Sequence, residues 1–154
     1  MTGLYRRLES RIQALPGVRA ASFAMTTFND GEWNSPVWPQ GVAQTEANAK
    51  SFGGNRVGAQ YFAALGTPVV SGRTFGPQDT PKSPAVVVVN ETFARSLFPN
   101  GSALGRRFSL GGHDGYEIVG VVKDAKYEVF VKIPRDFSLF TMARSRIPMD
   151  SMTC

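Results

Sequence analysis

The sequence predicts an α+β domain: one mixed or antiparallel sheet, about three short helices and an irregular C-terminal tail. Three observations carry this. Val86 to Val89 is a continuous β-branched run after Ala85, the pattern of a short strand covered on both faces. Leu4, Leu8, Ile12 and Leu15 recur at spacings of four, four and three, which places them on one face of a helix. The 16 glycines and 10 prolines among 154 residues demand many turns, hence short elements and a strand-rich chain.

The elements follow in order. The helix through Leu4 and Leu15 ends at Pro16-Gly17, because proline disfavours helical backbone before it and glycine accepts a left-handed cap. Val18 to Met25 reads as a strand leaving that turn. Thr26 to Pro36 is rich in Asn, Asp, Gly and Ser and reads as loop. Val37 to Val42 reads as an edge strand, the place where an internal proline such as Pro39 is tolerated. Trp33 and Trp38 flank Pro36 and are expected to cover the end of the sheet rather than form a contact surface. Phe52 to Gly58 is a strand, Tyr61 to Leu65 a short helix stopped by Gly66, and Pro68 to Ser71 a brief extended piece. Gly72 to Pro84, with prolines at 77, 81 and 84, is loop. Asn90 is a good N-cap for a helix over Thr92 to Leu97, which Pro99-Asn100-Gly101 stops. Arg107 to Leu110 and Tyr116 to Val122 form a hairpin across the glycine-rich 111–115 segment. After Tyr127 no periodicity remains. The chain therefore divides into a domain over 1–127 and an irregular tail over 128–154. The expected core is Leu8, Ile12, Leu15, Val18, Phe23, Phe62, Leu65, Val87, Val89, Phe93, Leu97, Ile118 and Val121.

Composition narrows the function classes. An apolar fraction of 42% and a charged fraction of 19% belong to an ordinary globular chain. The formal charge is +5, but the basic residues are scattered and only Arg6-Arg7 and Arg106-Arg107 form pairs. That is a mildly basic solvated surface, not the run expected of a nucleic-acid binder. Cys154 is the single cysteine, so neither an intramolecular disulfide nor a cysteine zinc site can form. No stretch approaches the roughly 18 to 20 apolar residues that span a bilayer. Met1 to Arg7 is charged with no apolar segment behind it, so no signal peptide is expected.

No motif assembles a reaction centre. His113 beside Asp114 lacks a second histidine or a nucleophile and reads as a solvated hairpin tip. Gly101 to Arg106 has the wrong spacing for a phosphate loop, and no Gly-x-Gly-x-x-Gly or Gly-x-Ser-x-Gly exists. Asp79, Glu91, Asp114 and Asp124 are dispersed carboxylates. Arg73 is expected to clamp an internal carboxylate with its planar fork, with Asp79 in reach, and otherwise to meet a partner protein. No catalytic, cofactor-binding or metal-binding residue is assigned, and no cofactor is expected.

Four short signatures run in fixed order. They are Leu15-Pro16-Gly17-Val18; Tyr61-Phe62 with Leu65-Gly66 and Gly72-Arg73-Thr74-Phe75; Val88-Val89-Asn90-Glu91 with Phe93-Ala94 and Leu97-Phe98-Pro99; and Gly105-Arg106 with Ile118 to Val122 and Asp124. Together they resemble the MacB-like periplasmic core domain of ABC-transporter permeases, the FtsX-like family, over roughly Leu4 to Tyr127. The resemblance implies a two-lobed extracytoplasmic module between the first and second membrane helices of a permease at the periplasmic side of the inner membrane. It implies a non-enzymatic part that couples cytoplasmic ATP hydrolysis to export or to partner regulation. The implied partners are the remainder of the permease, its separate ATPase and periplasmic proteins. Against that pattern the chain is expected to be a fragment, lacking the opening strand and membrane helix and carrying a divergent end from Glu128 to Cys154. Two other readings stand beside it. A small soluble α/β enzyme would need Asn90, Glu91, His113 and Asp124 to converge in a cleft. A free-standing nucleic-acid binding module would need a basic face with exposed aromatics.

Overall fold

The computed structural model describes residues 2–24, 33–79, 83–124 and 139–142. Three α-helices and seven strands follow one another as α1 (Thr2–Gln13), β1 (Trp33–Pro39), β2 (Lys50–Arg56), α2 (Tyr61–Ala64), β3 (Val69–Gly72), β4 (Val86–Asn90), α3 (Glu91–Leu97), β5 (Arg107–Leu110), β6 (His113–Val122) and β7 (Leu139–Met142). A short 3-10 turn covers Glu46–Asn48. The strands form one mixed sheet in the order β3-β6-β4-β7-β2-β1-β5, with β5 also paired to β6. That second pairing closes a circuit of six strands, with β3 attached outside it. The ladders β4–β6 and β2–β7 are parallel and the rest antiparallel.

The long strand β6 holds the sheet together. One edge takes β4, with Val89 opposite Val121. The other edge takes β5 along its first half, with Phe108 opposite Tyr116, and β3 along its second, with Gly72 opposite Gly120. The hairpin from β5 to β6 is tighter than the expected five-residue loop. Gly111 and Gly112 have φ of +54° and +83°, and two adjacent left-handed residues make the turn that matches strand twist.

Hydrophobic alternation along β4 builds two cores. Val87 and Val89 enter one with Phe52, Phe93, Leu97, Phe108, Leu110, Tyr116, Ile118 and Val121. Val86 and Val88 enter the other with Val57, Tyr61, Phe62, Phe75 and Val122. All five residues of β4 are buried, as the β-branched run requires. Ring contacts thread the first core: Phe52 to Phe93 at 4.4 Å, Phe93 to Phe108 at 5.3 Å and Phe108 to Tyr116 at 6.0 Å.

Several expectations need correction. Leu8, Ile12, Leu15 and Leu65 lie on the surface, not in the core, and Val18 and Phe23 are only half-buried. The stripe on α1 finds no sheet or helix to cover it among the described residues. Val18 to Met25 does not form a strand; within its described part, only Ala24 pairs, in a single bridge to Val57. β1 begins at Trp33 inside the expected loop and lies between β2 and β5, not at an edge. Its Pro36 is tolerated because pairing to β5 starts one residue later, at Val37, so no ladder bond needs the missing N–H. Trp38 is buried and its indole N–H donates to the Thr45 carbonyl at 2.9 Å. The side chain of Trp33 lies outside the described residues. Beyond Tyr127 the structure adds β7, which fills the space between β2 and β4. Four residues without turn signals carry too little pattern to be read as a strand; the two waiting edges supply the preference.

Candidate functional site

The carboxylates and polar groups that sequence singled out gather at the start of α3. Asn90 ends β4, and its Oδ1 accepts the Phe93 N–H at 2.9 Å. That bond satisfies one of the helix donors that have no partner within the helix. Asp124, just past β6, accepts the Thr92 N–H at 2.9 Å through Oδ1 and the Thr92 hydroxyl at 2.8 Å through Oδ2. Arg95 donates to both Asp124 Oδ2, at 3.1 Å, and Thr92 Oγ1, at 3.2 Å. Lys123 lies 3.9 Å from Glu91. A carboxylate against a helix N-terminus is favoured by the backbone dipole. Asn90, Thr92 and Asp124 are thus engaged in fixing α3 to the ends of two strands. His113 stands exposed at the other end of β6, nine residues from Val122 and roughly 30 Å away at strand rise. The four groups required by the enzyme reading do not converge. The side chain of Asp114 lies outside the described residues.

The second cluster is the Gly72-Arg73-Thr74-Phe75 turn. Gly72 has φ of +73°, and a Cβ there would collide with the Val119 carbonyl and Leu104. A Cβ on Gly120 would collide with the Arg73 carbonyl. These two glycines face each other across β3 and β6. Each is there because backbone passes where a side chain would otherwise sit. Arg73 donates its N–H to the Val119 carbonyl at 2.9 Å. Its guanidinium grips Asp79 with both arms, Nη1 to Oδ2 at 2.6 Å and Nη2 to Oδ1 at 2.9 Å. The Gly76 N–H adds a third bond at 2.8 Å. The internal pairing that sequence suggested for Arg73 is therefore present. Burial alone would raise the Asp79 pKa, but the hydrogen bonds from Arg73 and Gly76 outweigh it and hold the carboxyl below the usual range. The hydrogen bond to Asp79 raises the already high pKa of Arg73 further. Phe75 then reaches Phe62 at 6.2 Å, and Phe62 meets Tyr61 edge-on at 5.5 Å. The Tyr-Phe and Gly-Arg-x-Phe signatures thus meet in the second core.

These arrangements position backbone and hold no reacting group. Among the described residues no three His, Cys, Asp or Glu side chains come together as a cation site. The exposed large apolar side chains there are aliphatic: Leu4, Leu8, Ile12, Leu15, Val42, Leu65, Val69 and Val70. Neither an acid–base pair nor an aromatic nucleic-acid platform is assembled. No helix among the described residues is long and apolar enough to cross a membrane.

What the fold and its motifs define is a mixed-sheet module whose signature residues fix turns, caps and strand crossings. The model of the MacB-like periplasmic core domain family matches residues 3–152, and the chain belongs to that family. The match runs through residue 127, where the sequence pattern fades. A stretch of 79 residues is 37% identical to the macrolide export ATP-binding/permease protein MacB 1/2 of Paracoccus denitrificans, covering 51% of this chain and 11% of that protein. The periplasmic region of MacB from Actinobacillus actinomycetemcomitans superposes with a TM-score of 0.60 at 17% identity, over 90% of this chain and 54% of that one. The extracellular domain of the noncanonic ABC-type transporter YknZ from Gram-positive bacteria gives 0.58 at 17% identity, over 90% and 62%. The chain thus spans a little over half of those solved domains and about a tenth of the curated relative.

Proposed function

We propose that this chain is a non-catalytic extracytoplasmic module of an ABC-transporter permease, relaying cytoplasmic ATP hydrolysis to export or to a partner outside the membrane. The carrying observation is the family match over residues 3–152. The residues that such a module needs rigid are the ones found locked here. Asp124 and Asn90 tie α3 to β6 and β4, and Gly72 and Gly120 let β3 cross closely over β6. Its working partners are the remainder of the permease and an ATPase, and its place is the periplasmic side of the inner membrane. The module works as a lever and contact surface and turns over no substrate itself.

The test is a graft. Residues 3–152 replace the matching segment of the Paracoccus macrolide exporter, produced in a macrolide-sensitive host. Restored macrolide resistance with ATPase activity that responds to the graft supports the reading. A graft that inserts and folds, yet leaves ATPase activity and resistance no better than a deletion of the segment, overturns it.

A further inference from the structure

We propose that the apolar stripe of α1, with the buried edge of Arg56 beside it, is a docking face for a further segment of the same permease polypeptide, one carrying apolar side chains and a carboxylate. The inference rests on the permease reading above. Leu4, Leu8, Ile12 and Leu15 are 60%, 45%, 44% and 56% exposed, although their spacing sets them in one line. A helix stripe of this kind is normally turned to a core. Here α1 is tied to its own return segment instead. Glu9 Oε1 accepts the Phe23 N–H at 3.2 Å, and Gln13 donates to the Ala21 carbonyl at 2.9 Å. The stripe is left facing outward.

Arg56 supplies an independent observation. Its Nε and Nη2 are buried with no hydrogen-bond partner, and so is the Ser22 hydroxyl. Nε and Nη2 share one edge of the guanidinium, the fork that receives both oxygens of a carboxylate. An arginine edge removed from water without a partner is a large unmet demand. Arg56 and Gly58 flank Val57 in extended chain and so share a face, with Val57 turned into the second core. Gly58 on that face abuts Glu9 and Ser22. The fork therefore lies on the side where α1 arrives. The exposed Arg11 and Arg19 add positive charge around it, which favours an acid-bearing partner.

The occupant is polypeptide of the same permease because the solved relatives contain it. This chain aligns over 90% of its own length yet covers 54% and 62% of those domains. A bilayer reaches an exposed stripe, but it presents no directed oxygen pair to a guanidinium edge already closed to solvent.

The test is hydrogen–deuterium exchange of α1, read in the 154-residue chain and in the polypeptide translated from the whole reading frame that contains it, held in detergent. Exchange of α1 at least tenfold slower in the longer polypeptide is the expected result. Leu8→Asp with Ile12→Asp returns it to the rate of the short chain, and Arg56→Lys, which keeps the charge but loses the fork, does so in part. Exchange of β4 and β6 reports whether each variant folds. If the double variant does not fold, Arg56→Lys decides. Equal α1 exchange in both chains overturns the proposal. So does a reading frame with nothing beyond these residues, protection that rises with concentration of the short chain, or protection that requires anionic phosphatidylglycerol vesicles. The graft reads the permease assignment separately, so either can fail while the other stands.

Discussion

Asn90 holds more of this fold than its size suggests, because one side chain ends a strand and begins a helix. Replacing it with alanine leaves the Phe93 N–H without its buried acceptor, and the expected loss is about 1 kcal/mol in denaturant unfolding. Gly120→Ala is expected to cost more than that, because the added methyl meets the Arg73 carbonyl, which is backbone and cannot rotate away. Circular dichroism melts of the two variants rank them directly. Asp79 has a pH signature. Its pKa is depressed on folding, so the stability that it adds is present above the ordinary value of 3.8 and is lost as pH falls through its lower folded value. Asp79→Asn is expected to remove that acid-side step while lowering stability at neutral pH. Melting temperature against pH for both proteins checks it. The cap and the Arg73 pairing were legible from residue type and spacing. The facing glycines were not, since nothing local tells Gly72 that Gly120 lies opposite; only the β3–β6 register does.

Among the elements, β4 and α3 form the most strongly determined unit. Val86 to Asn90 is buried on both faces, and α3 follows without a connecting loop. Phe93 is fully buried between Phe52 and Phe108. Phe93→Ala is expected to cost about 3 to 5 kcal/mol. Urea titration with an unchanged slope separates that loss from a change in the unfolded state. The sequence pattern located this unit because burial on both faces leaves a continuous apolar run. α1 shows the limit of the same logic. Periodicity correctly gave a helix with one apolar face, but a pattern states what a face needs and not whether the chain supplies it. β7 shows the opposite limit, a strand made by its two neighbours and not by its own four residues.

For the molecule as a whole, the ordered signatures point to a scaffold and not to a reaction. Each one resolves into a turn, a cap or a strand crossing. A chain ending at Tyr127 keeps all of them but lacks β7, leaving β2 and β4 each with an unpaired edge. Such edges pair with other chains. The 1–127 chain is therefore expected to form higher oligomers at concentrations where the 154-residue chain is monodisperse, as size-exclusion chromatography with light scattering would show.

The circuit of strands also sets a timetable. Its closing piece is Leu139–Met142, made after every other strand. A chain emerging from the ribosome has β2, β1, β5, β6 and β4 in hand well before it can join the two ends. Until then both cores are assembled around an open seam, and long-range closures of this kind are the slow ones. Synthesis of these last residues converts a half-built, association-prone sheet into a finished ring, so pauses in translation before residue 139 prolong the interval in which this protein is most exposed to its neighbours.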